Sequence, residues 1–182
     1  MPPLECGLAS WRDQSRAGYG AMRLAGGGAF GQPRDRDEAL RVLRAAVAAG
    51  VNPHRHRAVL RARHGERAHS RGLAPPTESL DVLAECEARN IAFVPFCPLG
   101  RPGDAHHRLL ADPVLVGLAA RLGATPARIA LAWLLDLAPN ILLIPGTGSR
   151  AHLAENLGAA GDRLDDAARA DLTRRVPSTR IR

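Results

Sequence analysis

Four consecutive aliphatic residues, Ile141, Leu142, Leu143 and Ile144, stand between Pro139-Asn140 and Pro145-Gly146 with no polar side chain among them. A strand with one wet face alternates apolar and polar residues. An uninterrupted apolar run this short therefore fits a strand covered on both faces, as in a parallel sheet flanked by helices. The surrounding pattern agrees. Residues 91–96 (Ile-Ala-Phe-Val-Pro-Phe) read as a second strand, preceded by a helix with Thr77 as candidate N-cap and Leu80, Leu83 and Ala84 on one face. Residues 114–121 and 125–137 read as two helices. Pro126 sits at the first position of the second, and Ala130, Leu131, Leu134 and Leu135 form its broad apolar face. Helices over 149–160 and 165–175 complete the chain. Strands alternating with helices at this spacing predict α/β architecture with parallel strands.

The N-terminal part adds one such unit. Residues 1–17 have no period; a strand is expected over 18–24 and a glycine-rich turn over 25–31. Asp35 or Arg36 then opens a helix in which Ala39, Leu40, Leu43, Ala46 and Val47 recur at helical spacing, and Gly50 closes it. The next stretch is different in kind. His and Arg dominate residues 53–72, where only Val59 and Leu60 are large and apolar, so burial cannot offset the entropy of ordering it. The expected organisation is an N-terminal segment (1–52), a disordered Arg/His-rich linker (53–74) and a C-terminal α/β part (75–182).

Composition narrows the chemistry. All 25 basic residues are Arg and there is no Lys, which excludes any reaction that needs a catalytic lysine. The net charge of +7 suits polyanions, and six arginines fall within 53–72, but no aromatics interleave with them; a specific nucleic-acid site is not expected. Cys6, Cys86 and Cys97 form no CxxC pair, and neither His54/His56 nor His106/His107 is joined by further ligands, so no metal site or disulfide framework is expected. Cys97 has no base beside it and reads as a small apolar filler. A reducing cytoplasm fits, and no run approaches the length of a membrane span.

The segment Pro145-Gly146-Thr147-Gly148-Ser149-Arg150 joins the apolar strand to the next helix. Amides at a helix N-terminus, glycines that permit close approach, two hydroxyls and a guanidinium can hold a phosphate. A plain glycine-rich turn capped by Ser149 explains the same residues, and both readings stand.

Several motifs in order resemble the aldo-keto reductase family. Ile144-Pro145-Gly146-Thr147-Gly148-Ser149, with His152-Leu153 and Glu155-Asn156, is similar to the family's IPGT-x-S-x-x-HL-x-EN segment. Residues 91–100 (IAFVPFCPLG) resemble its seventh-strand signature, and residues 123–135 (GATPARIALAWLL) one of its helices; residues 18–24 and 35–50 resemble its first β/α unit. The resemblance implies an eight-unit TIM barrel, (β/α)8, of about 250 residues, for which 182 residues are too few. It therefore implies a partial barrel retaining the first, seventh and eighth units, neighbours in a closed barrel that form a small parallel sheet. Its open edges would favour self-association.

The resemblance also implies NADPH as cofactor and small aldehydes or ketones as substrates. Gly146, Thr147, Gly148 and Ser149, near Arg150 and His152, would meet the adenosine 2′-phosphate, and Glu155 and Asn156 the adenine. Phe96 would stack on the nicotinamide, while Cys97, Pro98, Leu99 and Gly100 begin the loop over the pyrophosphate. Gly146-Thr147 stands where many members carry Lys-Ser, and His152 where many carry Arg, which implies weaker phosphate binding.

The family's proton donor is a Tyr assisted by a Lys–Asp pair, with a His orienting the substrate. None of the four has a counterpart here. The sole tyrosine, Tyr19, lies in the first strand, and Gly50-Val51-Asn52 is followed by Pro-His-Arg-His-Arg-Ala-Val-Leu-Arg instead of a segment resembling HxDTAxxYG. Codons for residues 53–61 exist that, shifted by one base, read His-Thr-Asp-Thr-Ala-Pro-Phe-Tyr-Gly. The expectation is a slip of reading frame after Asn52, with loss of the third to sixth strands. The chain is then an inactive, cofactor-binding relative of a reductase, the alternatives being a scaffold without catalysis or an Arg-rich polyanion binder.

Overall fold

The computed structural model describes residues 16–20, 35–51, 59–62, 77–89, 91–95, 97–100 and 103–174. The expected end of the first strand, the turn over 25–31, most of 53–74 and Phe96 lie outside these.

Two strands, β1 (Val59–Ala62) and β2 (Ala92–Pro95), pair in parallel with Val59 opposite Ala92. Two further segments continue the array through single parallel bridges. Phe93 pairs with Ile141, Leu143 with Ala17, and Gly146 with Gly20. The ladder is carried by Phe93 N–H donating to Asn140 O (2.8 Å), Leu142 N–H to Phe93 O (2.9 Å), Leu143 N–H to Arg16 O (2.8 Å) and Gly18 N–H to Leu143 O (2.7 Å). The spatial order is 17–20, 141–146, β2, β1. The first strand thus begins at Ala17, one residue before its expected start, and lies beside 141–146 as expected.

β1 departs from the expectation for 53–74. Residues 59–62 of the presumed disordered linker form a strand, because main-chain groups on the free side of β2 offer hydrogen-bond partners whatever the side chains are.

The apolar run at 141–144 is explained by its two faces. Ile141 and Leu143 join Phe93 in the main helical core, while Leu142 packs with Ala92 and Val94 on the opposite side, next to Ile144. Side chains alternate, yet both faces are dry.

Seven helices surround the strands among the described residues: α1 (Arg36–Ala48), α2 (Thr77–Ala88), α3 (Asp104–Leu110), α4 (Pro113–Leu122), α5 (Pro126–Leu137), α6 (Arg150–Gly158) and α7 (Asp166–Thr173). Their starts follow from capping chemistry. Asp35 accepts from Glu38 N–H, Thr125 from Arg128 N–H and Asp165 from Ala168 N–H. Thr77 is not a cap but the first residue of α2. Gly50, at φ +81°, ends α1, with its N–H bonded to Val47 O and that of Val51 to Ala46 O.

The centre of the core is α5, whose residues from Ile129 to Leu135 are all buried, Trp133 at 1% exposure. α1 is seated differently from its expected face: Ala39, Val42 and Ala46 are buried, whereas Leu40, Leu43 and Val47 are exposed. Ala84 of α2 is likewise exposed, and Cys86 takes its place inside. No single helix among the described residues is long and apolar enough to cross a membrane.

Arg16 closes the carboxyl end of α5. Its Nη1 donates to Leu135 O and Ala138 O, both at 2.9 Å, and to Pro139 O at 3.3 Å. A cation there satisfies carbonyls that the helix leaves open and complements its dipole. Arg16→Ala should lower unfolding free energy by about 1–2 kcal/mol in urea titration. A loss below about 0.5 kcal/mol would mean that water replaces the guanidinium without cost.

Candidate functional site

The turn after residue 144 is built from the strand outward. Pro145 and Thr147 are buried while Gly146 and Gly148 are exposed. Ser149 N–H donates to Thr147 Oγ1 (3.0 Å), and Ser149 Oγ accepts from His152 N–H (3.5 Å) as the N-cap of α6. Leu153 N–H closes the first helical turn on Ser149 O (3.0 Å). The amides of Arg150 and Ala151, at the first two helical positions, have no intrahelical acceptor by geometry. They stand next to two exposed glycines, at the positive end of the helix dipole, which is a backbone arrangement suited to an anion.

The first strand holds this turn from beneath. Tyr19 donates its phenol to Thr147 O at 2.7 Å, and Gly20 approaches so closely that a Cβ would lie 2.4 Å from Ile144 O. Burial raises the Tyr19 phenol to about 12, so it remains protonated across any ordinary pH.

Charge at the turn is partly committed. Arg150 Nε lies 3.4 Å from Glu38 Oε1 on α1, while Glu38 Oε2 takes a closer bond from Arg41 Nε at 2.7 Å. The Arg41 hydrogen bond, aided by Arg150, holds the Glu38 carboxyl below its usual range. Arg150, expected to serve a phosphate, therefore shares its charge with α1. His152 is exposed one turn into α6, and Asn156 is buried at 5% exposure. Glu155 Oε2 accepts from Thr125 Oγ1 (3.3 Å), which ties α6 to the cap of α5.

The second expected segment leaves the same end of the neighbouring strand. Cys97 has φ +50°, Gly100 has φ +78°, and Gly100 N–H donates to Cys97 O at 2.8 Å, closing a tight turn through Pro98 and Leu99. His106 Nδ1 donates to Leu99 O (2.8 Å), so α3, which the sequence pattern did not reveal, backs this turn. Both turns stand at the carboxyl ends of adjacent parallel strands, where α/β folds place their ligands.

The sequence pattern of the aldo/keto reductase family matches residues 75–174, more than half of the chain. The chain belongs to the aldo/keto reductase family. Pyridoxine 4-dehydrogenase of Escherichia coli is 32% identical over 259 aligned residues, which take in 80% of this chain and 89% of that protein. That alignment is longer than the chain itself. An uncharacterized oxidoreductase of Schizosaccharomyces pombe is 40% identical over 83 residues, 46% of this chain and 26% of its own length. Among solved structures, an aldo/keto reductase from Klebsiella pneumoniae in complex with NADP and acetate aligns with TM-score 0.51 and 28% identity, over 56% of this chain and 36% of that one. The chain thus spans little more than a third of that reductase and about a quarter of the yeast relative.

Within the aldo/keto reductase frame, sequence reasoning missed two residues of the site. In sequence Tyr19 is a tyrosine placed too early for catalysis, and Glu38 carries no signal of its own. Their partners Thr147 and Arg150 stand 128 and 112 positions away. No local pattern carries contacts of that range.

Proposed function

We propose that this chain is a nucleotide-binding remnant of a reductase: it holds NADP(H) at the turn of Gly146, Thr147, Gly148 and Ser149 and does not turn over a carbonyl substrate. The observation that carries the reading is the start of α6, capped by Ser149 and next to two exposed glycines, in a chain of this family. Bound NADP to the Klebsiella pneumoniae relative supports the identity of the ligand. The residues present fit its anionic end. Arg150 and Ala151 amides, the Ser149 hydroxyl and His152 would meet the 2′-phosphate, Glu155 and Asn156 the adenine, and the turn of Cys97, Pro98, Leu99 and Gly100 the pyrophosphate. Phe96 would take the nicotinamide face. Bound NADPH supplies a hydride, and this chain's residues hold and orient it.

The retained units are, on this reading, the first, seventh and eighth, with the site in the 75–182 part. A reading-frame slip after Asn52 and loss of the middle units account for the missing Asp, Tyr, Lys and His. An alignment longer than the chain supports an internal gap. DNA across codons 52–62 with no alternative frame encoding Asp-Thr-Ala would remove this explanation. The buried, unbridged thiol of Cys86 suits a reducing, cytoplasmic setting. Polyanion binding is disfavoured because Arg41, Arg89, Arg121, Arg128, Arg150, Arg169 and Arg174 each pair with a carboxylate.

Calorimetric titration of the purified chain with NADPH tests the reading. Binding in the micromolar to tens of micromolar range, equivalent to about 6–8 kcal/mol, is expected. A folded sample that releases no heat at 1 mM NADPH overturns it.

A further inference from the structure

We infer that Tyr19 is the positioning residue of the anion turn: from the first strand, its phenol fixes the Thr147 carbonyl and so sets the direction of the amides that follow.

The geometry supports this at three points. The phenol donates to Thr147 O at 2.7 Å, a side-chain hydrogen bond that reaches the backbone of the turn from the first strand. Thr147 Oγ1 in turn accepts from Ser149 N–H at 3.0 Å, so the residue whose carbonyl Tyr19 grips also holds the N-cap residue. The ring itself is held, since it packs beside Val42, Ala46 and Leu153, the small core between α1 and α6. Gly20, next in the chain, allows the strand to lie against Ile144 O with no room for a side chain.

The consequence is a rigid link from the strand, through Thr147, to the start of α6. A buried carbonyl that loses its donor either pays a desolvation cost or turns toward water. In the second case the Thr147–Gly148 peptide rotates and the Ser149 cap loosens. The phenol's upward displacement to about 12 keeps it a donor throughout the range in which nucleotide binding is measured. The same bond removes Tyr19 from proton-transfer chemistry.

The nucleotide arm of this proposal rests on the NADP reading above, whereas the positioning itself does not. Tyr19→Phe keeps the ring and its packing and deletes only the hydroxyl. In the full chain without nucleotide, amide hydrogen exchange at Ser149 and His152, whose N–H groups bond to Thr147 Oγ1 and Ser149 Oγ, should accelerate about tenfold, while amides of α5 from Ile129 to Leu135 keep their wild-type rates. In titrations, affinity for NADPH and for adenosine 2′,5′-bisphosphate should fall about three- to tenfold, with less than twofold change for NADH and adenosine 5′-monophosphate. Unchanged exchange at Ser149 and His152, or acceleration shared equally by α5, overturns the positioning role. Accelerated exchange in a protein whose wild type binds neither NADPH nor the bisphosphate upholds positioning and overturns the NADP reading. Equal losses for NADPH and NADH assign Tyr19 to general stability and overturn the link to the phosphate.

Discussion

Trp133→Ala abolishes the cooperative thermal transition of this chain or lowers its midpoint by roughly 10 °C or more. Trp133 is 1% exposed, and its neighbours from Ile129 to Leu135 are buried without interruption. A helix buried all round has no solvent side toward which a cavity can collapse. Deleting an indole from such a place typically costs about 3–5 kcal/mol, the sum of lost transfer energy and an unfilled void. The rest of the core offers little relief. Aromatic residues make up 3% of the sequence, and the main cluster is otherwise mostly Leu, Ala and Ile. Total stabilities of small domains are about 5–15 kcal/mol, so this one change removes a large part of the margin. Circular dichroism on heating decides the matter. A midpoint shift under about 3 °C would mean that α5 is not the centre of the folded chain.

The same helix shows what could be read before the structure. Pro126 at the first position and a broad apolar face were legible, because each is a local rule about backbone geometry or side-chain spacing, while Thr125, read as part of the helix, is its cap. The run at 141–144 was legible for a related reason. Four aliphatic residues in a row have only one stable setting in a strand, and Leu142 and Leu143 do point to different cores.

What the sequence hid was long-range or side-chain independent. On α1 two stripes compete at the same spacing, Ala39, Val42 and Ala46 against Leu40, Leu43 and Val47. The smaller set is buried because α6 packs closely there. Hydrophobicity alone would choose the larger. β1 forms from a stretch with a poor apolar pattern since its main chain pairs with β2. In the candidate site, the N-cap Ser149 and the glycines were readable, but the Glu38–Arg150 pair was not. That pair matters for function. An ion pair this exposed is weak and screened by salt, so an anion at the turn would compete with Glu38 for Arg150 at a modest loss of affinity.

Catalysis is where the largest effect is expected. The purified chain, saturated with NADPH and given a reactive aldehyde, should oxidise the nucleotide no faster than buffer does. Reduction of a carbonyl needs a proton delivered to oxygen as the hydride arrives at carbon, and positioned acid catalysis alone contributes about 10²–10⁴-fold. The sequence holds no Lys and one Tyr. That tyrosine already donates to Thr147 O, and its buried phenol is pushed up to about 12, the opposite direction from a poised acid. His106 donates to Leu99 O, and His152 lies on the exposed side of α6. Tyr19 and His106 thus direct their protons to backbone carbonyls. Absorbance at 340 nm, followed with and without aldehyde, measures the outcome. Turnover that survives in Tyr19→Phe would reveal an acid outside the described residues, and turnover abolished by that substitution would make Tyr19 a catalytic residue. Either result would overturn the reading of this chain as a binding remnant.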